Sequence, residues 1–298
     1  MAMVQPKKKK IGDRLTDIFI YVSLFLVLIV MIYPLWHVIM YSISDSRAAM
    51  TGGLFILPKK LSFLTYKILF QTKRIFVSFK NTIAKTVVGT GINLIVTVLT
   101  AYALSLDELK GRRAIQLIIY FTMLFSGGII PTYILIKSLH MLDTFWVYVI
   151  PAALSPYNMF IMRSFFRTIP KSLSESAMLD GANHAQILTR IILPLSKASL
   201  ATVTLFYARM NWNSYMDGVL YVNDNRLELL QVYLRRLITA ASAKGALSEA
   251  GDLSAAMAIT EESMKMTVIA VSLIPIVILY LFLQKYFVKG ATVGSVKG

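Results

Sequence analysis

The 298-residue chain is 56% hydrophobic and only 15% charged, with a mean hydropathy of +0.65. A soluble domain carries about 25% charged residues, so a soluble globular fold is excluded and an all-α polytopic membrane protein is expected. The net charge of +16 belongs at membrane edges facing anionic lipid; no basic–aromatic platform makes nucleic acid an expected partner, and the lack of cysteine excludes disulfides, thiol catalysis and thiolate metal sites.

The segment 1–17 carries Lys7–Lys10 and Arg14, which predicts a cytoplasmic N-terminus. The apolar run after it is too long for a signal-peptide core and reads as a retained span. A span needs about 20 apolar residues, and six segments qualify: Ile18–Met40, Thr82–Leu106, Ala114–Ile136, Thr144–Met162, Ala198–Tyr215 and Met266–Phe287. The fifth ends in the polar and aromatic stretch "ARMNWNSYMDG", which lies at an interface or lines a water-filled path.

Six spans place both termini in the cytoplasm, with a six-helix domain over 18–287 and a cytoplasmic tail over 288–298. The basic connection "DELKGRR" then faces the cytoplasm as the positive-inside rule asks, whereas Arg47–Lys80 is external despite seven Lys or Arg. In the two long external segments, "FLTYKILFQTKRIF" and "LELLQVYLRRLI" are amphipathic and read as short helices on the membrane surface or on a partner. Ala241–Ala256 is rich in small residues and reads as a loop.

Catalytic chemistry is missing. There is no G-x-x-x-x-G-K-[ST] phosphate loop, so the chain holds no ATP of its own. His37, His140 and His184 have no partner at metal-ligand spacing, and neither G-x-S-x-G nor H-E-x-x-H occurs. Acidic pairs inside the spans, the usual mark of a proton-driven carrier, are also missing. Neither an enzyme nor a self-powered carrier is expected, and no cofactor or metal on this chain.

The connection between spans four and five, about 163–197, differs from the rest. Pro170 ends what precedes it, and Ser172 with Glu175 matches an S-x-x-E capping box. A short helix follows to Leu179, with Gly181 at the position where a left-handed residue ends it. Asn183 is a candidate cap for a second helix, along which Ile187, Leu188, Ile191 and Ile192 form one apolar stripe before Pro194 limits it. An isolated helix this short is unstable in water and needs a surface to pack on, the chain's own bundle or another protein. By local physics alone, Glu175 and Gly181 could serve only to cap and to turn.

The spacing adds more: Glu175, Ala177, Gly181, Ile191, Leu193 and Pro194 fill six of seven fixed positions of the pattern E-A-A-x3-G-x9-I-x-L-P, with Ser176 at the second of the seven in place of Ala. This resembles the EAA loop of ABC importer permeases. "FKNTIAKTVVGTGINLIVTVLTAYALS", the stretch Phe125–Ala182 and the end "YFVKGATVGSVKG" are similar to the carbohydrate-uptake branch of that family, related to the maltose-system subunit MalG and to its LplC-like group.

The resemblance implies a type I importer permease with six membrane helices, in the plasma membrane of a bacterium. It implies a second homologous permease, two cytoplasmic ATPase subunits that carry ATP and magnesium, an extracellular solute-binding protein, and an oligosaccharide as substrate. It also implies that Glu175, Ser176, Ala177, Asp180, Gly181 and Ala182 form the coupling helix and its bend against an ATPase, with Gly294–Gly298 as a further contact. Asn93, Tyr120, Tyr157, Asn158 and Asn211 are polar or aromatic positions in the predicted spans, placed either along the path or in helix-packing hydrogen bonds. An importer for a non-sugar solute and a membrane scaffold that does not transport are the alternative readings.

Overall fold

The computed structural model describes residues 11–242 and 259–294. Lys7–Lys10, most of the loop expected at Ala241–Ala256, and the tail beyond Gly294 lie outside the described residues. The described residues are helical, joined by turns, with one isolated antiparallel bridge, Ser44 to Leu61. They divide into two units, Met1–Gln71 with Ala240–Val271, and Thr72–Thr239 with Ser272–Gly298.

In the first unit, α1 (Ile11–Ser42) contains the first predicted span and begins seven residues before it. Within Leu15–Ser42 the most apolar 18-residue window has a mean hydropathy of 2.7, and none of it is buried against this chain. Such a surface is stable only against lipid or another apolar helix. The short α2 (Ser46–Ala49) is capped by Asp45, whose carboxylate accepts from the Ala48 amide at 3.0 Å. Tyr41, Ala49 and Phe55 form a small core, and the His37 ring meets Phe55 edge-on at 5.0 Å. His37 is thus an aromatic-cluster residue. The amphipathic stretch after it forms α3 (Leu64–Gln71).

In the second unit, α4 (Lys73–Ser105) is the axis. It contains the second predicted span and starts nine residues earlier, because "KRIF" continues this helix instead of lying on a surface. The third predicted span is not one helix. It divides into α5 (Arg112–Leu124) and α6 (Ile129–Ser138), bent by 115°. The break falls at Phe125–Gly128, where Phe125 is extended and Gly128 takes φ +88°; hydropathy averaged over the window hid this "FSGG" interruption.

The fourth predicted span, Thr144–Met162, is also overturned as a continuous helix. It holds a 3-10 turn at Phe145–Tyr148, then non-helical chain, then α7 (Pro156–Phe166). Pro151 and Pro156 are the reason, since each lacks an N–H and bars the preceding residue from helix. Pro156 opens α7, and Ser155 caps it.

Next come α8 (Lys171–Leu179), α9 (His184–Ile187), a π turn at Leu188–Ile192, and α10 (Leu193–Leu195). The fifth predicted span is α11 (Lys197–Asn213), bent by 86° from the segment before it. Pro194 does not end the preceding helix: Leu193 is helical, its amide donates to the Leu188 carbonyl, and the bend falls at Ser196. The π turn shifts the hydrogen-bond ladder by one residue there, which accommodates the missing proline N–H.

Beyond it lie α12 (Met216–Tyr221), α13 (Leu230–Ser242) and α14 (Glu261–Gly294). α14 runs past Phe287 into the expected tail. The α13 stretch, expected on a membrane or partner surface, instead buries Leu229, Leu230, Val232, Tyr233 and Leu234 within this chain. Glu228 is held there by a two-pronged contact from Arg74, at 2.6 and 3.1 Å, and by Arg236 at 2.8 Å.

Among the described residues three helices are long and apolar enough to cross a membrane, or up to five crossings if each bent pair is one span.

Candidate functional site

The segment expected to form the coupling loop is a two-armed module built around Gly181. Its first arm, α8, has no buried residue. Ser172, Glu175, Ser176 and Leu179 recur at the three- and four-residue spacing of one helix face, and all four are exposed, Leu179 by 90%. Ala177 and Met178, on the other face, pack against the chain's own core. The smallness of Ala177 therefore lets α8 lie close to its own bundle, whereas Ser176 stands on the open side.

Ser172 is not the helix cap. α8 starts at Lys171, because Pro170 at φ −56°, ψ 127° fixes the entry one residue earlier. Glu175 is thereby free of any capping role, and its carboxylate makes no hydrogen bond or ion pair among the described residues.

The bend is a Schellman motif. Asp180 ends the helix, Gly181 takes φ +82°, its amide donates to the Met178 carbonyl at 3.0 Å, and the Ala182 amide reaches back to Ala177 at 2.9 Å. Asn183 then caps the second arm. Its side chain accepts from the Gln186 amide, and the Gln186 side chain accepts from the Asn183 amide, both at 2.9 Å. This reciprocal pair is a capping box. Asn183→Ala is expected to cost about 0.5–2 kcal/mol, seen as a lower Tm of the purified protein.

The second arm is anchored. Ile187, Leu188 and Ile192 are buried in a core with Val98, Ala101, Tyr102 and Leu104 of α4, Met159, Met162 and Phe166 of α7, and Val203 and Tyr207 of α11. The Tyr102 hydroxyl lies 3.3 Å from Nδ1 of His184. A push on α8 thus reaches three helices through one glycine turn. An exposed knob on a buried root can transmit motion.

Two of the five polar positions come together, between α4 and α11. Nδ2 of Asn211 donates to Oδ1 of Asn93 at 3.0 Å and stands 3.3 Å from the Thr90 hydroxyl, while Asn93 donates to the Ala152 carbonyl at 2.6 Å. The Asn211 amide lies against Gly89, where a Cβ would stand only 3.0 Å away. Asn93, Asn211 and Asn158 are all buried. In this conformation Asn93 and Asn211 serve helix packing. Tyr120 and Tyr157 are instead half exposed, and both sit beside Phe160, the first by an edge-on ring contact and the second by helix spacing.

Lys85 was missed by the sequence reading. It is the single charged residue in Thr82–Leu106, and this lone charge was the available signal. The side chain is buried, with Nζ 3.0 Å from Oδ2 of Asp217 and 5.0 Å from the centre of the Tyr148 ring. Ser214 donates to the same carboxylate oxygen at 2.6 Å, and the Tyr148 hydroxyl donates to Leu227 at 3.0 Å.

Residues 1–293 match the family model described as binding-protein-dependent transport system inner membrane component. The chain belongs to this family. The permease is 40% identical over 287 residues to the polygalacturonan/rhamnogalacturonan transport system permease protein YtcP of Bacillus subtilis, covering 96% of this chain and 99% of that one. It is also 40% identical over 267 residues to Protein LplC of Bacillus subtilis, covering 90% of each. Among solved structures, it matches a bacterial ABC transporter involved in the import of the acidic polysaccharide alginate, with a TM-score of 0.80 and 34% identity over 95% of this chain and all of that one. The permease is therefore a membrane component of a transport system and not its ATPase.

Proposed function

We propose that the permease forms half of the translocation pathway of an ATP-driven importer for oligosaccharides cut from acidic polysaccharides. The observation that carries the coupling role is the exposed face of α8 on the buried root at Ile187, Leu188 and Ile192. The names of the relative and of the solved transporter support the substrate class, since the first names polygalacturonan and rhamnogalacturonan and the second the acidic polysaccharide alginate. Glu175, Ser176, Leu179 and Asp180 dock on a cytoplasmic ATPase, and Gly181 with Ala182 sets the bend. ATP and magnesium are held by two such ATPase subunits.

The unburied apolar window of α1 supports a second, homologous permease and surrounding lipid as partners. The family description supports a solute-binding protein, docking on the extracellular side. The chain crosses a bacterial plasma membrane six times, with both termini inside, if the two bent pairs and the turn-rich 145–166 segment each count as one passage. The domain over 18–287 is then followed by a cytoplasmic end. Tyr120 and Tyr157 offer open aromatic faces to the apolar side of a sugar ring. On ATP binding the ATPases close, draw the two α8 knobs together and turn the permease pair outward; hydrolysis resets it.

The test is to reconstitute the complex with its binding protein and measure solute-stimulated ATP hydrolysis. Glu175→Ala is expected to lower the stimulation about 5-fold or more, the low end of site-to-site coupling. Mass spectrometry of the saccharide carried by the binding protein checks the substrate. Unchanged stimulation contradicts the coupling role, and a bound amino acid or polyamine contradicts the substrate.

A further inference from the structure

α8 begins badly for a helix. Its N-cap is Pro170, which offers no side-chain acceptor, and its first turn holds Lys171 with no acidic residue. A cation is unfavourable at the positive end of the helix dipole. The compensating charge comes from elsewhere in the fold.

Asp107 lies just beyond α4, 64 residues before Lys171 in sequence, and its Oδ2 accepts from the Lys171 ammonium. Oδ1 of the same carboxylate accepts from Arg112 at 2.5 Å and stands 3.9 Å from the guanidinium of Arg167, the residue that caps α7. Lys171 and Arg112 hold the Asp107 carboxyl well below the usual carboxylate range, so it is anionic at any working pH.

The ground beneath this carboxylate is also built. The last carbonyls of α4 have lost their helical partners. Nε of Arg163 donates to Leu104 at 2.9 Å, Nε2 of Gln116 to the same oxygen at 3.2 Å, and Nη1 of Arg112 to Leu106 at 2.9 Å. Side chains from α5 and α7 thus clasp the end of α4, and Asp107 carries that clasp on to the start of α8.

We infer that Asp107 is a positioning residue for coupling: it ties the N-terminal end of α8 to the end of α4, so that the knob and the membrane helix move as one body. This rests on the reading of α8 as the ATPase-docking element. Ala177, Met178 and the Gly181 turn hold the C-terminal half of α8 on the core, and Asp107 adds the tie at its N-terminal end. A helix held at both ends keeps its attitude, where one held at its C-terminal half can tilt. An exposed ion pair alone contributes little to stability; the consequence here is directional.

The experiment uses the reconstituted complex and reads ATP hydrolysed per solute transported, with the yield of assembled complex alongside. Asp107→Asn is expected to raise this ratio about 5-fold or more, the low end of coupling between sites, with assembly intact, and Asp107→Glu to restore it. Lys171→Met, which leaves Asp107 with Arg112 and Arg167, is expected to shift the ratio in the same direction. A merely structural carboxylate would lower the yield without changing the ratio. If Glu175→Ala uncouples but Asp107→Asn and Lys171→Met do not, the tie is wrong and the docking role stands. If none of the three uncouples, both fail. If Asp107→Asn does not assemble, an unchanged ratio for Lys171→Met overturns the tie.

Discussion

Gly181→Pro is expected to reduce solute-stimulated ATP hydrolysis to the unstimulated level while the membrane complex still assembles. Proline fixes φ near −65°, whereas the native residue sits at +82°. It also deletes the amide that donates to Met178 at 3.0 Å, so both the direction of the turn and its closing bond are lost. The anchored arm starts two residues later and keeps its own capping box and buried side chains, so the bundle is expected to survive. Graded replacements sharpen the test. No atom outside the turn lies within 4 Å of an added Cβ, so Gly181→Ala carries only the left-handed backbone cost, about 1–2 kcal/mol. Gly181→Asn carries less, because asparagine tolerates that region. Coupling measured across the three variants should fall in the order Asn, Ala, Pro.

Asp217→Ala is expected to destabilise the permease by about 3 kcal/mol, the lower end of the range for breaking a buried ion pair. The lower end applies because the Asp217 side chain is 36% exposed, against 1% for Lys85. The cost lies on the lysine, an ammonium left in the interior with only the Tyr148 ring beside it. Lys85→Met added to Asp217→Ala should therefore recover most of the loss, since an apolar side chain of similar length needs no partner. Thermal unfolding of the detergent-solubilised complex measures both. A double variant no better than the single would contradict this assignment of the cost.

The legible parts of the site were the local ones. A glycine after a short helix and an asparagine before an apolar stripe each act within about four residues, and both were found where their chemistry placed them. Ser172 was misread because a serine three residues before a glutamate looks like a cap, yet the proline two residues earlier had already set the helix entry. The third and fourth spans failed for a related reason. Average hydropathy is blind to where the backbone breaks, and Ser126–Gly128, Pro151 and Pro156 carry almost no weight in it. Asp107 and Lys85 depend on partners 64 and 132 residues away. No local pattern encodes such a meeting; only the packing of α4 against its neighbours brings it about.

The central claim is that one face of α8 docks on the ATPase. Because the chain has no cysteine, single cysteines placed along α8 can carry a photoactivatable cross-linker without a background site on this subunit, which is labelled before assembly. In the assembled complex, cysteines at Ser172, Glu175, Ser176 and Leu179 should cross-link to the ATPase subunit, and those at Ala177 and Met178 should not. Equal labelling from both faces, or capture of the ATPase only from the inward positions, would contradict the account.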